Sequence, residues 1–325
     1  MKKVALSGTL GLLLAICFHA VPAQAQLRES WVSSTGTDAS DCSRATPCGS
    51  FQGAHNKTNS GGSINCVDAG EYGGIAPGNV VTISKSITID CGGTVGLLSR
   101  GTSPAFNISG AGIVVKLRHI SMQGNFGASA GINFINGAVL YVENCMINNF
   151  NGGAGQGIRF APPTGVNAYL FVSDSFITNN GLPSTGGGIV IQPEGTGTAR
   201  VMLDRVRVEG NTFGIAVDGT GSSAGINLTI SDSVTAGNLN DGIIAVTPGG
   251  GAPIGVTVKN TRSVNNGFGF RAIGNNVTFR IDGSTVIGNG TGLSFSGGGA
   301  LLSAGNNMIQ ANGTNGAFSG SVALQ

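Results

Sequence analysis

From residue 131 onward a glycine followed by an apolar residue keeps returning, at Gly131-Ile132, Gly157-Ile158, Gly188-Ile189, Gly214-Ile215, Gly242-Ile243, Gly269-Phe270 and Gly292-Leu293, at intervals of 23 to 31 residues. An asparagine precedes most of them, in the series Asn149, Asn180, Asn211, Asn238, Asn266, Asn289 and Asn312. An elastic period of this length signifies a repeat architecture whose unit is one supersecondary motif. The units share an internal order: LFVSDSFITNN leads into GIVIQ, VMLDRVRVEGN into GIAV, LTISDSVTAGN into GIIAV. These segments are short, rich in β-branched residues and alternating in polarity, as half-buried strands are. Helical spacing is nearly absent from residue 80 to the end.

One such unit cannot bury its own apolar face. Units coiled on one another at ~4.8 Å pair every strand with the strands above and below. No leucine skeleton of a leucine-rich repeat is present, and an antiparallel sandwich would not keep Asn and Gly in register. The sequence therefore predicts an all-β chain, a single right-handed parallel β-helix of roughly 9–10 coils. Asn at the tight turn accepts left-handed geometry, and stacked amides can bond along the axis. Gly after it is expected to let the backbone reverse into the next strand. Leu170 and Val172 should point inward against Val201 and Leu203 of the next coil.

The chain opens like an exported one. Lys2 and Lys3 precede an apolar run from Val4 to Phe18, and Val21-Pro22-Ala23-Gln24-Ala25 resembles a signal-peptidase site, so residues 1–25 read as a signal peptide. A lipoprotein reading around Leu14-Ala15-Ile16-Cys17 is the alternative, disfavoured by the bulk of Ile16 where such sites want a small residue. No apolar stretch reaches membrane-spanning length. Without the leader, 15 basic residues face 15 acidic ones, so no basic block exists to hold nucleic acid or an anionic membrane. Residues 26–60 read as an N-terminal cap segment and 61–325 as the β-helix. The expected location is secreted, periplasmic or cell-surface, and the expected state a monomer. Cys42 and Cys48 share one short loop, and Cys66 and Cys91 end similar strands about one coil apart. Export permits both disulfides, and leaves Cys145 as a buried thiol.

WVSSTGTDASDCSRATPCGSF, a short helical patch around Phe51–Lys57, GGSINCVDAGEYGG and SKSITIDCGG together resemble the opening of pectin-lyase-like β-helix proteins. Gly61, Gly62, Ile64, Gly70 and Tyr72 carry the likeness. The resemblance implies a helix that caps the first coil, and it implies a fold more than a reaction. Polygalacturonase-type hydrolases carry Asn-Thr-Asp, Asp-Asp, Gly-His-Gly and Arg-Ile-Lys segments; alginate epimerases carry Asp-Pro-His-Asp; pectate lyases gather acidic residues around calcium. None of these patterns occurs here. His55 and His119, the two histidines left after cleavage, have no obvious partner in the sequence, and no Cys/His set has metal-ligand spacing.

Alternation sends a second set of side chains outward: Lys116 and Arg118, Tyr141 and Glu143, Phe171 and Ser173, Met202 and Asp204. Rings beside charges suit sugar stacking and carboxylate pairing, so Lys116, Arg118, Tyr141 and Phe171 are the expected substrate-binding residues. Glu143 and Asp204 would sit two coils apart, ~9–10 Å, at the edge of the ~6.5–9.5 Å separation of an inverting glycosidase pair. They are the candidate catalytic residues. Asp174, Asp204, Asp232 and Asp282, with Asn144 and Asn260, mark strand ends. Ca²⁺ could bind such a column, but its slipping register favours turn bonding. No cofactor is evident. The expected function is polysaccharide binding, with modification left open; the alternatives are a non-enzymatic structural or adhesive surface rod and a divergent polysaccharide lyase or glycoside hydrolase.

Overall fold

The computed structural model describes residues 27–73, 80–99, 103–125, 127–182 and 184–322. The expected signal peptide, 1–25, lies outside the described residues. Each coil contributes three strands. In one of them Asn167–Ser173 runs along the first face, Phe176–Thr178 along the second and Gly187–Ile191 along the third. Pairing is parallel and joins each residue to its equivalent one coil away: Leu170 lies between Leu140 and Val201, and Val172 between Val142 and Leu203. The first two faces form one 19-stranded sheet and the third a 9-stranded sheet. The result is a right-handed β-helix of about 10 turns.

The two faces of the larger sheet meet at a bend that one residue per coil makes in the left-handed region. Those residues are His119, Asn144, Asp174, Arg205, Asp232 and Asn260, with φ between 46° and 52°. Asn and Asp tolerate that geometry better than other side chains, which is why acidic and amide residues end so many strands. It also explains the slipping register of the aspartates. Asp174 and Asp232 sit on the bend itself, whereas Asp204 and Asp282 are the last residues of their strands.

The asparagine column separates two roles that the sequence merged. Left-handed geometry at the second bend belongs to Asn149, Asn179, Gly210, Gly237, Asn265 and Gly288. From Asn179 onward the next residue is the buried ladder asparagine, and each ladder amide bonds to the one above it: Asn180 to Asn211, Asn211 to Asn238, Asn238 to Asn266, Asn266 to Asn289 and Asn289 to Asn312. Asn149 is therefore not a rung. Phe150 occupies that place, and its N–H donates to Asn180 Oδ1 at 3.1 Å.

The glycines of the Gly-apolar repeat are not reversing the chain either, since their φ values are not positive. Space is the constraint. A Cβ on Gly214 would lie 2.5 Å from the Gly242 carbonyl oxygen and 2.8 Å from Asn238 Nδ2. The ladder and the glycines thus fit each other.

The N-terminal end is closed by the helix Phe51–Lys57, whose N-cap Ser50 accepts from the Gly53 N–H. Phe51 is fully buried and its ring lies 5.2 Å from Tyr72 and 6.0 Å from Phe106. Leu27–Val32 stacks in parallel on Thr58–Cys66 as the first strand of the column. Both expected disulfides are present, Cys42–Cys48 within a loop and Cys66–Cys91 between neighbouring coils. Cys145 is free and buried.

Candidate functional site

On the first face the backbone pairs Lys116 with Tyr141, Tyr141 with Phe171 and Phe171 with Met202. The neighbouring column runs Arg118, Glu143, Ser173, Asp204. The inward residues between them, Leu140, Val142, Leu170 and Val172, are at most 1% exposed, so the side chains expected to face out do so. The rings are arranged as a ladder. Tyr141 and Phe171 stack at 4.9 Å and 13°, the Tyr169 ring lies nearly parallel to Phe171 at 6.3 Å, and Lys116 Nζ sits 5.3 Å from the Tyr141 centroid. Arg200 packs on Tyr169 and donates to its hydroxyl at 2.6 Å. The Tyr141 and Phe171 faces are therefore turned toward one another across neighbouring coils.

The charged column is tied internally. Arg118 Nε lies 2.7 Å from Glu143 Oε2. Arg205, on the bend, grips Asp174 through two contacts of 2.7 and 2.8 Å and reaches Asp204 as well. That guanidinium holds the Asp174 carboxyl below the usual carboxylate range. Asp204 also accepts from Ser231 Oγ at 2.7 Å. Glu143 and Asp204 are thus two coils apart with Ser173 between them, each with its own arginine. Asp232 accepts from Asn260 and Asp282 from Asn306, so the aspartate column is bonded to guanidinium and amide groups. Among the described residues, no cluster of three or more His, Cys, Asp or Glu is placed to hold a metal ion.

Beside this column the bend folds the larger sheet into an open groove of about 420 Å³ that runs along the axis. One wall is the bend residues His119, Asn144, Asp174 and Arg205; the other is Ser121, Met146, Phe176 and Arg207 from the second face. The Arg207 and Arg205 side chains are 63% and 57% exposed. Arg207 lies over the Phe176 ring at 5.9 Å. His119, which showed no partner in the sequence, has one: its Nδ1 is 2.9 Å from Asp90 Oδ1 across one coil. His55 is buried in the capping helix, and burial, aided by Lys85, depresses its basicity. Cys145 forms part of the groove floor. Arg205, Arg207, Met146 and Phe176 were not singled out from the sequence. The only signal was positional: each follows the outward acid or serine that ends a strand by one to three residues.

This is the fold of pectin-lyase-like right-handed β-helix proteins. A solved pectate lyase, Pel9A, matches with a TM-score of 0.55 and 14% identity, over 87% of this chain and 79% of that one. The A-module of the Azotobacter vinelandii mannuronan C-5 epimerase AlgE4 also matches, with a TM-score of 0.42 and 13% identity, over 81% and 91%. No protein-family model and no curated protein sequence matches the chain.

Proposed function

We propose that this is an exported polysaccharide-binding protein whose ligand lies along the bend groove, with Lys116, Tyr141 and Phe171 forming its rim. The observation that carries the reading is the groove itself. It crosses four coils in line with the axis and offers apolar Met146 and Phe176 beside two solvent-facing arginines. Coil spacing of ~4.8 Å repeats such contacts at the scale of a sugar unit, and rings with adjacent guanidinium groups suit sugars and their acidic substituents. The likeness to a pectate lyase supports the same class of ligand. Two disulfides support export. In this reading Glu143 and Asp204 position Arg118 and Arg205 at the groove.

A non-enzymatic surface rod is favoured by one observation: the Tyr141 and Phe171 faces are already occupied by each other. Binding to a panel of neutral and acidic polysaccharides separates the two. The groove reading expects a bound member, and Phe176→Ala with Arg207→Ala to weaken it several-fold while Arg280→Ala, exposed on distant coils, does not. Absence of any bound glycan overturns it in favour of the rod.

A further inference from the structure

The third face carries a polar cluster that the groove does not include. Asp241 opens the strand Asp241–Val246 and is 0% exposed. Its Oδ2 is contacted by one terminal nitrogen of Arg271, on the next coil, and its Oδ1 has no hydrogen-bond partner. Arg271 Nε is likewise buried without a partner. The ion pair is thus end-on where an aspartate and an arginine can form two parallel bonds. The Arg271 side chain is 24% exposed, and its Cζ lies over the Phe268 ring, 4.3 Å from the centroid. The strands packed on Asp241–Val246 also carry Asp218, Lys259 and Arg262. Asp218 pairs with Val246 at the far end of the strand, Lys259 and Arg262 are exposed on the other faces, and only Arg271 acts on the Asp241 carboxyl.

We propose that Asp241 is an acid-operated latch on Arg271: when the carboxyl takes a proton, the guanidinium loses its counter-charge and the third face gains an anion-binding site on Phe268. The physical basis is that a partly buried guanidinium whose partner has been neutralised needs another anion. Burial pushes the Asp241 carboxyl up to about 6, against the pull of Arg271, so the latch works in mildly acidic medium. The ligand is a carboxylate or sulfate group on a body that can lie against the Phe268 ring. Linkage is reciprocal: an anion on Arg271 must raise the proton affinity of Asp241 by the same factor.

The test uses the full mature chain and dextran sulfate as the polyanion. Wild type should bind it several-fold more tightly at about pH 4.5 than at about pH 7.5, with a midpoint that moves up as polyanion is added. Asp241→Asn copies the neutral carboxyl and should bind at both pH values alike. Arg271→Gln should remove the acid-dependent part, leaving whatever the groove arginines bind, which Arg207→Ala reports separately. The Arg271 Nε–Hε NMR signal should shift with the same midpoint. An Asp241→Asn variant that retains the wild-type pH dependence, or an Arg271 signal that does not titrate, overturns the latch; failure of the groove variants alone does not touch it.

Discussion

Asn211 Oδ1 accepts two hydrogen bonds from Asn180, one from its main-chain N–H at 2.9 Å and one from its side-chain Nδ2 at 3.0 Å. The same double contact recurs from Asn211 to Asn238 and from Asn238 to Asn266. It ends in a local cap where Asn312 makes both bonds to Asn315 Oδ1. One amide per coil therefore satisfies a buried main-chain donor of its neighbour, and neighbouring coils are fastened by polar bonds as well as by the apolar core.

Asn238→Ala should cost on the order of 2–4 kcal/mol in denaturant unfolding, because it orphans the buried Asn211 main-chain N–H at ~1–3 kcal/mol and removes the bonds of Asn238 Nδ2 to Val208 O and Asn266 Oδ1. Asn238→Asp should be worse above the carboxylate range. Nδ2 of Asn238 donates to Val208 O and Asn266 Oδ1, and a carboxylate would set oxygen against oxygen there. Asn312→Ala, at the solvent-exposed end, should cost less than either. Equal losses at Asn238 and Asn312 would mean the ladder contributes nothing beyond local turn geometry.

Register can be tested with two adjacent side chains. Leu170 is fully buried, and Leu170→Ala should cost ~2–5 kcal/mol by leaving a cavity between coils. Phe171→Ala removes an outward ring stacked on Tyr141 and should cost ~0.5–1.5 kcal/mol beyond its area. Urea unfolding of the two variants reads the difference directly. A ranking in the reverse order would put Phe171 in the interior.

The strands and their inward residues were legible because a two-residue alternation leaves one choice of face once the coil repeat is recognised. Leu140, Val142, Leu170 and Val172 follow from that rule alone. Which asparagine bends and which one bonds was not legible: Asn179-Asn180 and Asn265-Asn266 look alike in sequence, and only the dihedrals separate them. The groove was missed because it depends on side chains from both sides of a one-residue bend, Arg205 and Arg207 for example, whose alternation is reset at the bend. Asp241 was missed for another reason. Its burial comes from coils on both sides, a long-range property with no local pattern.

Cys145 should be inert in the folded protein. It is 3% exposed, its Sγ faces the Leu117 and Glu143 carbonyls, and burial pushes the thiol up to about 12. Against a free thiol near ~8.5 the thiolate at neutral pH is scarcer by about 10³-fold. Iodoacetamide should therefore label no cysteine without denaturant and Cys145 alone with denaturant, since the other four described cysteines are in disulfides. Alkylation of Cys66 or Cys91 without prior reduction would contradict the inter-coil bridge.

Two aspartates should impose opposite pH dependences on stability. Tyr72 O–H donates to Asp68 at 2.6 Å, Ser34 adds a main-chain N–H at 2.9 Å, and these bonds hold the carboxyl at about 2. A carboxyl depressed on folding stabilises the protein above its unfolded value of ~3.9, and that contribution is lost as pH falls toward the folded value. Asp241 is raised to about 6, so its sign is reversed. Its contribution is fully present below ~3.9 and disappears as pH rises through the folded value. Thermal melts of Asp68→Asn should lie below wild type by a constant amount above about pH 4 and show a shallower loss of stability on the acid limb below it. Asp241→Asn should flatten the decline between about pH 4 and 6 and melt higher than wild type at neutral pH, where a buried charge has been replaced by a neutral isostere. An Asp241→Asn protein that melts lower than wild type at neutral pH, with its slope between those values unchanged, would show that the ionised pair with Arg271 is stabilising and that the carboxyl is not raised.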